Sequence, residues 1–280
     1  MTWTERLEKL DRRIVFVFIL IFVSIPVLVR LDMPIPSSPE VDHYFEAIEK
    51  LNEGDVVFFP ADFDPGSLAE LEPMMKASLK QIFKKNCRVV CFCLWDTGPG
   101  VIDRIIKESA AEAGKQYGTD YVFLGFKAGR EVIMVQIANS ISGVFPEDYE
   151  KRPTKSLPLM QQVDKLTDCK LVVNISAGYP GTKEWVQQVR TRYTVPMLSG
   201  CTGVSAPEYY PYYQSGQLSG LLGGLGGAAK YEKLVGIVGP ATAGMPAQSM
   251  GHLAVILFII MGNILYTINK RAAKAAGQAR

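Results

Sequence analysis

The sequence predicts a doubly wound α/β domain with a mainly parallel sheet, carried between an N-terminal and a C-terminal transmembrane helix. Three observations predict it. Two uncharged apolar runs lie near the ends, residues 14–29 (IVFVFILIFVSIPVLV) and 253–268 (LAVILFIIMGNILYTI), each near the short end of what a bilayer requires. Between them, apolar, β-branched or aromatic runs recur at 55–61, 88–95, 121–126, 170–176 and 195–199. Helical patterns separate those runs, the rhythm of parallel strands covered on both faces. Five such units make one flavodoxin-like or Rossmann-like domain.

The first apolar run follows Arg12 and Arg13. With its exit residue it gives a span over 14–30, after a short N-terminus at 1–13. A cleaved signal peptide also has a basic start and an apolar body, but the exit Val27-Leu28-Val29-Arg30-Leu31 lacks a small-x-small cleavage site. The second run, extended to 251–268, is apolar on every face apart from Asn263, which favours a span over a buried core helix. A basic tail, 269–280, follows it.

Orientation is read from the flanks. Arg6, Lys9, Arg12 and Arg13 precede the first span, and Lys270, Arg271, Lys274 and Arg280 follow the second. The inner flanks hold Arg30 and, from Gly239 to His252, no Lys or Arg. Positive-inside counting therefore puts both termini in the cytoplasm and the domain outside the cell membrane.

The remaining elements follow in order. Residues 31–54 read as a Pro/Ser linker (LDMPIPSSPE) and a short helix at about 41–51. The α/β domain occupies 55–239. Its helix at 74–86 aligns Met75, Leu79, Ile82 and Phe83, and the one at 101–117 aligns Ile102, Ile105 and Ile106. Helices at 131–142 and 157–168, with a solvated loop at 146–156 between them, fill the third gap; a helix at 182–193 fills the fourth. Residues 240–250 read as a second linker.

Charge and cysteine content narrow the function classes. A net charge of +2 with no basic block gives no reason for a nucleic-acid partner. Cys87, Cys91, Cys93, Cys169 and Cys201 lack the spacing of a disulfide framework and read as small buried apolar residues. His43 and His252 are the only histidines, too few to build a zinc site beside cysteines on one strand face. No metal and no cofactor is expected.

Ligands of doubly wound folds bind beyond the carboxyl ends of the strands. Those ends read PADFDPGS, LWDTGPG, GFKAGR, ISAGYPGT and SGCTGVSAPE, all rich in Gly and small polar residues. They nominate Asp62, Asp96, Thr97, Ser176 and Thr202 as the rim of a ligand site. The same residues also serve ordinary strand-to-helix turns, which need Gly, Pro and N-caps.

Asp62-Phe63-Asp64 approaches the DxDGT signature of aspartate-nucleophile phosphohydrolases, but Pro65 separates Asp64 from Gly66. That chemistry also needs a late acidic pair to hold Mg²⁺ and a lysine to steady the phosphoryl charge. Gly200-Cys201-Thr202-Gly203 supplies no acidic pair, and Ser67 with Glu70 reads as a capping box. The stretch therefore reads as architecture. No Gly-x-Ser-x-Gly elbow or Walker loop occurs. Gly224-Leu225-Gly226-Gly227-Ala228-Ala229 matches GxGxxA, yet no strand is expected to lead into it.

Residues 214–232 read as one glycine-rich helix on which Gly216, Gly220, Gly224 and Ala228 share a face. Such a face suits close packing, either on the domain's own sheet or between subunits. The adjoining Tyr209, Tyr210, Tyr212 and Tyr213 fit a pocket wall, a partner surface or the membrane interface. Together these features predict a membrane-tethered, non-enzymatic domain with the lipid bilayer as one partner. It would bind a ligand or assemble, as a homo-oligomer or with other subunits. A membrane-anchored, metal-dependent hydrolase using the strand-end carboxylates is the alternative.

Overall fold

The computed structural model describes residues 11–29, 34, 36 and 38–275. Arg6, Lys9, Arg30 and Arg280 lie outside the described residues. Contacts divide the chain into an α/β unit, Ile35–Thr242, and a terminal unit made of Met1–Pro34 with Ala243–Arg280. Helix α1, Arg12–Val29, belongs to the terminal unit.

The α/β unit opens on α2, Pro39–Glu49, with Pro39 in its first turn and Val41, Tyr44 and Ile48 buried at helical spacing. Strand β1, Val56–Asp62, is buried along its whole length. Helix α3, Leu68–Lys84, leads to β2, Arg88–Cys93, and α4, Pro99–Glu112, to β3, Tyr121–Phe126. After β3 come α5, Arg130–Asn139, and the single turn α6, Ile141–Val144. Strand β4, Leu171–Ser176, is followed by α7, Thr182–Trp185, which continues as a π-turn over Val186–Arg190. Strand β5, Met197–Cys201, precedes α8, Ala206–Gln214; β6, Gly220–Gly223, precedes α9, Gly224–Val235.

All strand pairs are parallel, and the sheet order is β3-β2-β1-β4-β5-β6. The chain reverses direction across the sheet between β1 and β4, so the doubly wound reading holds. Both faces are covered, which explains why β1, β2 and β4 read as unbroken apolar runs rather than alternating ones. Pro60 lies inside the central strand, where a missing N–H would weaken the ladder. The β1–β4 register resumes beyond it at Ala61 opposite Ile175, and the Asn174 side chain donates to the Pro60 carbonyl at 3.2 Å.

Several elements depart from expectation. The helix expected over 214–232 does not exist as one piece: β6 occupies Gly220–Gly223 and α9 starts at Gly224. A Cβ on Gly220 would stand 2.4 Å from the Tyr44 Cα, so α2 lies directly on this edge strand. Gly224 has φ +59°, and a Cβ there would meet the Gly203 Cα at 2.9 Å. Gly216 turns in the preceding loop with φ +75°, and Ala228 is fully buried. The four residues therefore share no helical face, and Gly220 and Gly224 pack within their own domain. Residues 157–168 form two 3-10 turns, Leu159–Gln161 and Leu166–Asp168, rather than a helix. The segment 131–142 breaks at Ser140, whose extended backbone and hydroxyl cap α6 through the Gly143 N–H.

The last helix, α10, runs from Pro240 to Ala275 without a break, so residues 240–250 are helix and not linker. Within the terminal unit, Phe18 of α1 meets Phe258 of α10 edge-on at 5.4 Å, and Val23 lies beside Gly251. Rising numbers on one helix meet falling numbers on the other, so the two pack antiparallel. Both helices are long and apolar enough to cross a membrane. The polar groups inside the apolar part of α10 satisfy themselves locally: Asn263 donates to the Ile259 carbonyl and Thr267 to the Asn263 carbonyl.

Candidate ligand site at the strand ends

The carboxyl end of β1 delivers Asp62 into the interior. One of its oxygens accepts the Leu94 backbone N–H at 2.7 Å; the other accepts the Trp185 indole N–H at 2.8 Å and the Asn174 amide at 3.2 Å. Asp62 is fully buried. Burial pushes its carboxyl up to about 7, against the pull of the Trp185, Leu94 and Asn174 donors. Ser176, its register partner on β4, is equally buried.

A closed polar network continues from there. The Thr182 hydroxyl donates to the Asn174 carbonyl oxygen at 3.0 Å and also pairs with the hydroxyls of Ser199 and Ser176. Every member of this chain has its partners inside the protein, so it fixes the β4–α7 connection and presents nothing outward. Gly181 is needed here because a Cβ would lie 2.1 Å from the Gly178 carbonyl oxygen.

The loop after β2 then reaches across the topological switch point, between β1 and β4, where a doubly wound sheet ordinarily opens. Trp95 donates its indole N–H to the Pro180 carbonyl at 2.9 Å, and Gly98 sits against the Phe63 carbonyl with no room for a side chain. The open space is displaced toward β2 and β3. There a cavity of about 320 Å³ is lined by Leu94, Trp95, Asp96, Phe126, Ala128, Gly129, Arg130, Tyr179 and Pro180.

The backbone that presents Arg130 is strained. Gly129 has φ 131° and Arg130 has φ 47°, a left-handed conformation that is uncommon for a residue carrying a side chain and that collects at functional sites. The Arg130 guanidinium stands 5.0 Å from the centre of the Tyr179 ring, and the Tyr179 hydroxyl donates to Glu131 at 2.6 Å. That hydrogen bond raises the Tyr179 phenol and lowers the Glu131 carboxyl. The cleft thus offers one fixed cation, one exposed carboxylate at Asp96 and aromatic walls.

No protein-family model matches the chain, and no curated protein matches it. Among solved structures, one similar chain is the apo homocysteine methyltransferase MmuM from Escherichia coli. It has 9% sequence identity and a TM-score of 0.25, with 72% of this chain and 97% of that chain covered. A likeness of that size carries no argument about chemistry, and the site must be read from its own residues.

The nominated rim residues do not converge. Asp62 and Ser176 join one buried network, Asp96 lines the open cleft and Thr97 is exposed beside it in the chain. Thr202 is half-buried; its hydroxyl donates to Ser205, whose own hydroxyl donates to the Ala177 carbonyl, holding the β5 loop to the β4 loop. Arg130, Tyr179 and Trp95 were within the quoted strand ends, but nothing in their spacing marked them as partners. Among the described residues, no three His, Cys, Asp or Glu side chains gather as a metal site would require.

The turn after β1 also differs in detail. Asp64, not Ser67, caps it: the Ser67 N–H donates to the Asp64 carboxylate at 3.2 Å. Glu70 instead accepts the Gly203 N–H at 2.7 Å. A strand does lead into the Gly224 motif, contrary to expectation. It is the outermost strand, however, and the dinucleotide fingerprint belongs on the first βα turn, at the switch point. The Glu70 carboxylate and Gly203 already occupy the space at Gly224.

The thiols are inert by environment. All five cysteines are free and buried. Burial pushes Cys87 up to about 11, and Cys169 and Cys201 each up to about 12, while Cys91 and Cys93 are raised further.

Proposed function

We propose that the protein is a membrane-tethered α/β domain that binds a small ligand at the ends of β2 and β3, without catalysing its conversion. Its role would be that of a binding or assembly component of a larger membrane complex. The observation that carries this reading is the separation of buried from open polar groups. The one strand-end carboxylate placed like a nucleophile, Asp62, spends both oxygens on internal N–H donors. The groups facing open space, Arg130, Asp96 and Tyr179, are suited to holding charge and aromatic surface. A cavity of about 320 Å³ matches the small end of ordinary ligand sites.

The chemistry favours a small anion or zwitterion with an apolar part: an acidic group on Arg130, a cationic one on Asp96 and the body against Trp95 and Phe126. Membrane attachment and an exported domain rest on the two apolar helices and on the basic residues Arg12, Arg13, Lys270 and Arg271 at their outer ends. The antiparallel packing of α1 and α10 supports it by bringing those basic ends to the same side.

Calorimetric titration of the detergent-extracted protein with a panel of small carboxylates, phosphates and amino acids tests this reading. Binding weakened roughly tenfold or more by Arg130→Ala, with no product formed, is expected for loss of a charge-assisted contact. A metal-dependent phosphatase activity abolished by Asp62→Asn, with folding intact, would establish the hydrolase instead.

A further inference from the structure

A second cavity, of about 510 Å³, lies away from the strand ends, between α3, α4 and the turn joining α9 to α10. Its apolar wall includes Phe83, Ile237 and Pro240, and its rim carries Lys80, Lys84 and Lys115. Lys76, on the same stripe of α3, is already shared between Glu72 at 2.9 Å and Glu108 at 2.8 Å. Lys80 and Lys84 differ from it. Both are exposed, one helical turn apart, and neither is paired with a carboxylate among the described residues. Lys115 donates to the neutral Asn86 side chain at 2.7 Å and has no carboxylate partner among the described residues.

Two carboxylates also line the groove: Glu232, whose oxygens are taken by Ala241 and Thr242, and the exposed Glu112. Lys80, Lys84 and Lys115 outnumber Glu112, and an apolar groove with that excess of positive charge on its rim is complementary to an anionic amphiphile. The chain itself says where such a molecule would come from. Pro240, in the groove wall, is the first residue of the helix that continues unbroken into the apolar segment. Only a short stretch of chain separates Pro240 from Gly251, where that segment begins. We propose that this groove binds an anionic phospholipid of the bilayer, with its phosphate on Lys80 and Lys84 and part of an acyl chain against Phe83 and Pro240. The proposal rests on the membrane-tethered reading, and the lipid would hold the domain close to the surface at the root of its C-terminal tether. Each lysine brought to an anionic headgroup and each methylene buried in the groove adds to retention, so the two contacts reinforce one another.

Native mass spectrometry of the full-length protein in neutral detergent, titrated with phosphatidylglycerol or phosphatidylcholine, tests it. The expected result is a preference for phosphatidylglycerol that falls roughly tenfold or more in Lys80→Glu/Lys84→Glu. The charge-matched pair Lys165→Glu/Lys170→Glu, outside the groove, should retain it. Ala113→Trp, which fills the groove and keeps the lysines, should also weaken the lipid. Equal lipid binding in all variants would overturn the proposal, because the apolar helices alone would then hold the lipid. Competition by glycerol phosphate at the same concentration as the lipid would reduce the groove to a plain anion site. A dimer lost in Lys80→Glu/Lys84→Glu would assign the groove to a second copy of the chain. Extraction of native membranes with alkaline carbonate tests the tether separately: release of the chain would sink the tethered reading whatever the lipid titration gives.

Discussion

Thr242 donates both its backbone N–H and its hydroxyl to one carboxylate oxygen of Glu232, each at 2.7 Å. The other oxygen of Glu232 accepts the Ala241 N–H at 3.2 Å. These are the N–H groups at the start of α10 that an N-cap side chain would normally satisfy. The N-cap position is Gly239, which has no side chain and no room for one: a Cβ would lie 2.2 Å from Glu232. A glutamate of the preceding helix, 1% exposed, takes over the task and complements the helix dipole. The start of the C-terminal helix is thereby fixed to the α/β domain.

Glu232→Ala should leave those N–H groups buried and unpaired, at a cost of about 1–3 kcal/mol. Thermal unfolding of the detergent-extracted protein measures it. Glu232→Gln, which keeps an acceptor but loses the charge, should cost less. Equal stability of all three proteins would mean that the cap is unimportant to the junction.

Asp62→Asn should destabilise the domain by about 2–4 kcal/mol, because an amide N–H must then face the Trp185, Asn174 or Leu94 donors. Denaturant unfolding checks this. Unchanged stability would show that the buried network tolerates a donor at this position.

The same residue imposes a pH dependence of definite sign. Its carboxyl, raised from 3.8 to about 7 in the folded protein, keeps a proton that the unfolded chain releases at lower pH. Stability from Asp62 is therefore fully present below about pH 4 and is lost as pH rises through about 7, by at most about 1.4 kcal/mol per pH unit. Wild-type stability minus that of Asp62→Asn should fall across this window. A difference that grows with pH would mean that the three donors outweigh burial and hold Asp62 ionised.

The edge strand was hidden for a physical reason. Four residues with a glycine at each end, Gly220-Leu221-Leu222-Gly223, carry little β-propensity, while glycines spaced four apart imitate a helix face. What selects the strand is tertiary: β5 pairs with it and α2 fits over Gly220. The start of α10 was missed similarly, because PATAGMPAQSM has the composition of a linker and its cap comes from Glu232, outside the segment. By contrast β1 was legible, since a strand buried on both faces advertises itself as VVFFPA. The strand ends located the cleft only in general terms. Arg130 and Tyr179 lie far apart in the chain, and their pairing depends on the left-handed backbone at Arg130, which no spacing rule encodes.

Gly220→Leu should unfold the monomer rather than release subunits from one another, since the new side chain would strike the backbone of α2 at Tyr44. Loss of the cooperative transition by circular dichroism is the expected outcome. A folded protein that loses only its cross-linked oligomers would return this residue to an intersubunit contact.

The proposed arrangement, a domain held outside the cell membrane by two helices whose ends share the opposite side, is tested most directly by cysteine accessibility. The native thiols are buried and should stay silent in the folded protein. Lys155→Cys reports from an exposed turn of the α/β unit, and Arg271→Cys from the end of α10. A membrane-impermeant maleimide applied to intact cells stripped of any outer barrier should label the first, and label the second only after lysis. Labelling of Arg271→Cys alone in intact cells, or of neither until the membrane is broken, would contradict the account.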